Sequence, residues 1–252
     1  EYILTCAPIL LREAIDRGAL QQSLDAIVER HESLRTVLVQ TDGEPGQRVM
    51  PPATVVITDH DLTGVAEADQ LADVYRIDAE QARMPFDLQR DPMLRVALLK
   101  LSTRKWVLLV AIHHVAADGW SIGVLQKEFS QLYGAARQGR VASLPPLPVQ
   151  YADYAAWQHA RMQQPAVRAR LDHWRRRLQG VAPVHSIPLD RPRLQGRSAG
   201  DAGLLVQPLD SVLAERLRAR GRTLDATLFM VLHAALSVVF ARWADNEDVL
   251  VG

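Results

Sequence analysis

Trp106-Val107-Leu108-Leu109-Val110-Ala111-Ile112 is apolar at every position and runs straight into His113-His114. Leu94 to Leu101 is a second, largely apolar run, interrupted by Arg95 and Lys100 and set off by Ser102-Thr103-Arg104-Lys105. Together they read as a hairpin of two largely buried strands. The second strand, carried through His114, meets a short turn holding Asp118 and Gly119. A helix is predicted from Ser121 to Gly134, with Ile122, Leu125, Phe129, Leu132 and Tyr133 as its apolar stripe. Polar groups placed at the end of a buried strand cost free energy unless they are partnered. What the two histidines are for is therefore the first question the chain poses.

Bulk properties exclude several answers. The 252 residues are 48% hydrophobic and 23% charged, ordinary for a globular protein with a sizeable core. Lys and Arg total 29, as do Asp and Glu, so no global charge draws the chain to nucleic acid or to an anionic membrane. Cys6 is the single cysteine, which rules out an internal disulfide framework and fits a reducing compartment. No basic-then-apolar leader and no run long enough to span a bilayer is evident, so a cytoplasmic protein is expected.

Tyr2 to Thr5 has strand composition. From about Ala19 the residues Leu20, Leu24, Ile27, Val28, His31 and Leu34 fall on one helical face, and that helix is expected to end near Arg35-Thr36. A hairpin follows, Val37 to Val39 and Gln47 to Met50, turning over Asp42 to Gly46. Val55 to Ile57 reads as a strand and Glu67 to Arg83 as a helix. After the proline cluster Pro145-Pro146-Leu147-Pro148, helices are predicted over Gln150 to Met162 and from Pro165 to Leu178. The aromatic residues Tyr151, Tyr154 and Trp157 at helical spacing are expected in a core, and the arginine face of the 165–178 helix in solvent. Residues 180–203, rich in Pro, Gly and Arg, read as a linker. A strand at Leu204 to Val206, a helix from Ser211 to Arg220 and a helix from Leu224 to Trp243 complete the pattern. The last is apolar on nearly every side, which predicts burial, and Asp248 to Val251 looks like the start of a strand.

Three readings of the histidine pair compete. A metal site is disfavoured, because adjacent strand residues point to opposite faces and no nearby Glu or Cys completes a ligand set. A second reading makes the histidines core residues satisfied by hydrogen bonds, and it suits His113. In the third, His114, bordering the turn, faces a cavity as a general base, a role open to an imidazole with an ordinary pKa near 6.5. Gly119 lets a substrate approach the backbone closely, and its N–H at a helix start points to where an oxyanion would develop. Asp118 either fixes the loop or caps the helix.

His113-His114-Val115-Ala116-Ala117-Asp118-Gly119 resembles the HHxxxDG motif of the condensation domains of nonribosomal peptide synthetases. More distantly it is similar to the chloramphenicol acetyltransferase-like acyltransferases. Arg30-His31-Glu32-Ser33-Leu34-Arg35-Thr36 resembles the family's RHExLRT element, and Tyr151 to Trp157 its YxDYAxW element, with Pro85-Phe86-Asp87-Leu88 between them. Trp120 and Ser121 match the DGWS continuation and are expected to shape the loop.

The resemblance implies an α/β, chloramphenicol acetyltransferase-like fold of two lobes. Residues 1–179 would form an N-terminal lobe and residues 204–252 the opening of a second lobe that is apparently truncated. It implies amide formation between a donor acyl thioester and an acceptor amine, both on phosphopantetheine arms of carrier proteins, with no cofactor bound by the domain itself. An adenylation domain would be a neighbour. His114 would be catalytic, His113 structural, and Asp118 paired with an arginine of the 30–36 element, Arg30 in preference to Arg35. Rival readings are an epimerization domain, an acyl-coenzyme A-dependent acyltransferase, and a degenerate partner-recruiting module. A heterocyclization domain would carry aspartates at His113 and His114. The family's usual SxAQxR-type N-terminal element does not precede Glu1, and an isolated fragment is expected to have doubtful activity.

Overall fold

The computed structural model describes residues 3–6, 8–12, 14–182, 186–190 and 205–251. Contacts divide the chain into two compact units, Glu1–Gln164 and Pro165–Gly252. The linker expected at 180–203 and the first residue of the strand expected at 204–206 lie largely outside the described residues; Leu205 and Val206 are in neither helix nor strand.

In the first unit the elements run β1 (Ile3–Thr5), β2 (Ile9–Leu11), α1 (Arg17–Arg30), a 3-10 turn (Glu32–Arg35), β3 (Thr36–Thr41), β4 (Glu44–Val49) and β5 (Ile57–Asp61). They continue with α2 (Glu67–Arg83), β6 (Leu94–Lys100), β7 (Trp106–His113), α3 (Gly119–Ala136) and α4 (Tyr151–Met162). The two apolar runs do form an antiparallel hairpin, with Leu98 opposite Leu108 and Leu94 opposite Ile112. Around it a mixed sheet is ordered β1-β7-β6-β5, with β2 also on β7. β1 covers the His113 end of β7 and β2 the Trp106 end, so two short strands share one edge. β5 runs parallel to β6.

Alternation along β6 and β7 sorts the core into two layers. Val96, Leu98, Leu108 and Ile112 meet Leu20, Leu24, Ile27 and Val28 of α1 and the apolar stripe of α3. Ala97, Leu99, Val107 and Leu109 meet Val74 and Ile77 of α2 on the other face. The largely apolar character of these strands follows, since both faces are covered along most of their length.

The hairpin β3–β4 turns more tightly than its composition predicts. Asp42 and Gly43 both take positive φ, 53° and 85°, and Glu44-Pro45-Gly46 belong to β4 instead of the turn. That is the two-residue turn whose twist matches flanking strands. The first helix is shorter than its apolar spacing suggests. His31 adopts φ −101°, ψ 96°, ending α1 at Arg30, and Leu34 reaches the core from the 3-10 turn.

The second unit holds α5 (Pro165–Arg177), α6 (Ser211–Thr223) and α7 (Leu228–Ala244). Contrary to expectation, no residue of α7 is buried; within its unit it packs chiefly on α6, which covers only one side of an all-round apolar helix. Tyr151, Tyr154 and Trp157 are likewise exposed, not core, and meet one another at tilted angles along α4. Residues 248–251 form no strand. No single described helix is long and apolar enough to cross a membrane.

Leu108→Ala removes a side chain buried between β7 and the α1–α3 layer, and is expected to destabilise the chain by about 2–5 kcal/mol. Val56→Ala, at a position 81% exposed, should leave the unfolding free energy from urea titration within about 0.5 kcal/mol of the parent.

Candidate active site

β7 stops at His113, one residue earlier than the apolar run predicts, and His114 is the first residue of the turn. The two imidazoles have opposite fates. His113 is buried, its backbone N–H donates to Met93 O at 3.1 Å, and its carbonyl accepts from Ala116 N at 2.9 Å. Its Nδ1 accepts the Val115 backbone N–H at 3.0 Å, which puts the ring proton on Nε2. The ring meets Phe86 edge-on at 5.7 Å between centroids. A ring so held closes the turn from beneath. His114 is exposed at the surface of that turn.

Asp118 then launches α3. Its extended backbone and its carboxylate, accepting from Ser121 N at 2.8 Å and Ser121 Oγ at 2.6 Å, make it an N-cap. These hydrogen bonds hold the carboxyl below the ordinary aspartate range. Asp118 is exposed and pairs with neither arginine of the 30–36 element, so the expected Asp118–Arg30 pair is replaced by a local cap. The reason is geometric: both arginines are engaged elsewhere. Arg30 reaches Glu128 at 3.2 Å and donates to Pro145 O at 2.6 Å. Arg35 donates to Val28 O and Glu29 O at the end of α1, and to Met50 O beyond β4. It thereby satisfies carbonyls that a helix end leaves open.

Glu128 is the residue that sequence reasoning missed. On α3 it accepts from Arg30 and lies 2.6 Å from His31 Nε2, and all three side chains are mostly buried. Its signal was present, because Glu128 follows Leu125 by three residues and precedes Leu132 by four. A carboxylate inside an apolar stripe requires a partner. Gln150 is the second such residue: it accepts from Glu32 N, donates to the Arg30 carbonyl at 2.9 Å, and forms a capping box with Asp153 at the start of α4.

Gly119 has negative φ, and a Cβ built there meets no atom within 4 Å. Internal packing therefore does not demand a glycine at this point. Trp120 is 84% exposed, against the expectation that it shapes the loop, whereas Ser121 does so through Asp118. A cavity of about 890 Å³ opens beside β6, among Val37, Met50, Val55, Ile77, Gln81 and Arg95, and neither histidine lines it. Among the described residues no cluster of His, Cys, Asp and Glu is arranged to hold a metal ion.

The condensation-domain family matches residues 4–252. A chondramide synthase of Chondromyces crocatus is 39% identical over 239 residues, which are 94% of this chain and 6% of that protein. The X-domain from teicoplanin biosynthesis superposes with a TM-score of 0.84 at 30% identity, over 96% of this chain and 53% of its own. A condensation domain of the enacyloxin polyketide synthase, described for chain release, gives 0.71 at 26% identity over 97% and 46%. The chain thus spans about half the length of these solved structures and a small part of the curated relative. The fold they share is the chloramphenicol acetyltransferase-like α/β fold.

Asp118→Ala is expected to fray the first turn of α3, and Asp118→Asn, which keeps an acceptor, to preserve it. A carboxyl depressed in the folded state stabilises the cap fully above the unfolded carboxylate range. That contribution is lost as pH falls through the depressed value. The protection factor of the Ser121 amide, which donates to Asp118, should therefore fall in Asp118→Ala at neutral pH and in the parent only in acid.

Proposed function

The chain belongs to the condensation-domain family, and on that premise we propose that it serves peptide-bond formation in nonribosomal peptide synthesis. The observation that carries the reading is the division of labour in the histidine pair. His113 is consumed by the turn, while His114 is presented at its surface beside the start of α3.

In this reading the lone pair of an acceptor aminoacyl amine attacks the carbonyl carbon of a donor acyl or peptidyl thioester. The carbonyl π electrons move onto oxygen and re-form the C=O as the C–S bond breaks, and the C–S bonding pair departs on sulfur as a thiolate. His114 accepts the proton shed by the attacking nitrogen, or holds that amine in line, and returns the proton to the departing sulfur. An α-amino group titrates near 8, so the push required is modest. Holding two tethered reactants together supplies on the order of 7–11 kcal/mol. Gly119, at the amino end of α3 with open space where a Cβ would stand, suits close approach of the developing oxyanion.

Donor and acceptor would arrive on phosphopantetheine arms of two carrier proteins, with an adenylation domain as neighbour and the cytoplasm as the setting. His113, Asp118, Ser121, Arg30 and Arg35 support the site through the hydrogen bonds described above, and no metal is assigned a part.

In the intact synthetase with loaded carrier proteins, His114→Ala is expected to reduce dipeptide formation by at least about 10²–10⁴-fold while the circular dichroism spectrum is unchanged. Normal turnover by that variant would remove the proposed role. Gly119→Ala adds a Cβ that meets no protein atom, so its Tm should equal or exceed the parent's and its rate fall by about tenfold or more.

A further inference from the structure

We propose that Glu128 is a positioning residue for His114, acting by setting α3 against α1; the inference rests on the catalytic reading of His114 given above. α3 starts at the histidine turn, and nothing along its length is fully buried. Its apolar stripe packs on the sheet only in part. Beneath it lies a largely apolar cavity of about 50 Å³, between Ile122, Leu125 and Phe129 on the helix and Cys6, Val110 and Ile112 on the sheet. Apolar contact is non-directional, and a gap beneath the helix forfeits part of it. Apolar packing on the sheet and on α1 holds α3 down, but non-directional contact does not by itself fix the helix's rotation and axial position.

Glu128 supplies the direction that the seat lacks. Arg30 Nε lies 3.3 and 3.2 Å from its two carboxylate oxygens, and His31 Nε2 lies 2.6 Å from Oε2. These donors stand at the end of α1, where the chain leaves the helix. They are themselves held, since Arg30 donates to Pro145 O and its carbonyl accepts from Gln150. Charge-assisted bonds of this kind fix angle as well as distance. Glu128 stands nine residues beyond Gly119, about 13 Å along the helix axis. A rigid helix carries a fixed point that far with little loss, so the anchor at the middle of α3 sets the turn at its start.

The test uses the intact synthetase with both carrier proteins loaded, and reads single-turnover amide formation together with the imidazole NMR signals of His114. Glu128→Gln keeps the shape and loses the charge. It is expected to lower the single-turnover rate by about 10- to 100-fold, without moving the acceptor-carrier concentration that gives half the maximal rate. The His114 signals should shift or broaden while those of His60 on β5 stay in place. Arg30→Lys keeps the charge but cannot serve both Glu128 and the Pro145 carbonyl as the guanidinium does, and should act in the same direction. It serves if Glu128→Gln does not fold. Adding Val110→Ile, which fills the cavity under α3, should return part of the rate without restoring the charge. Arg76→Gln, on the exposed face of α2, is the control and should match the parent.

A parental rate and unmoved His114 signals in Glu128→Gln, with His114→Ala inactive, would overturn the positioning role alone. A lowered rate with unmoved His114 signals would overturn it too, since it assigns Glu128 to general stability. Full turnover by His114→Ala would instead overturn the functional reading on which the inference stands.

Discussion

The ladder between β6 and β7 is the constraint from which the first unit is built. Leu98 faces Leu108 and Leu94 faces Ile112 across it, and both faces of the pair are covered. With the two strands dry on both sides, α1 and α3 must lie over one face and α2 over the other. β1 and β2 then close the free edge of β7, and β5 the free edge of β6. The position of the histidine turn follows from this ladder, because the turn begins where β7 ends.

At that end the ladder passes from apolar to polar chemistry within one residue. His113 is still held by the sheet, through Met93 O, and spends its Nδ1 on the Val115 N–H. A turn closed by a side chain and a helix opened by a side-chain cap leave little for the residues between them to decide. Ring and carboxylate both act locally here. That is why the sequence-level expectation of a long-range Asp118–arginine pair fails: Ser121 is closer, and the arginines find better partners at the end of α1 and on α3. The stretch from Arg30 to Thr36 matters to the histidine turn all the same, through Glu128 in place of Asp118.

Much of this was legible from pattern alone. Predominantly apolar runs predict β6 and β7 almost to the residue, and the pattern over Glu67 to Arg83 predicts a helix with the observed bounds. Spacing failed where a polar side chain overrules the period. His31 lies on the apolar face of α1 by count, yet the helix ends before it and its ring turns to Glu128. Spacing failed again for Tyr151, Tyr154, Trp157 and α7, where apolar character shows only that a face seeks cover. Neither the aromatic stripe nor the all-round apolar helix says which element provides it, and both are exposed.

The sequence by itself determined the two buried strands, the helices beside them and the polar motif at the strand end, because each depends on residues within a few positions of one another. It also separated His113 from His114, since neighbouring side chains at a strand end point apart. Only the tertiary structure decided what those groups touch. Arg30 and Glu128 are ninety-eight residues apart in the chain, and no local period encodes which of two arginines will meet which of several carboxylates. That choice depends on how α1 and α3 lie across one sheet face, and so on the whole packed unit.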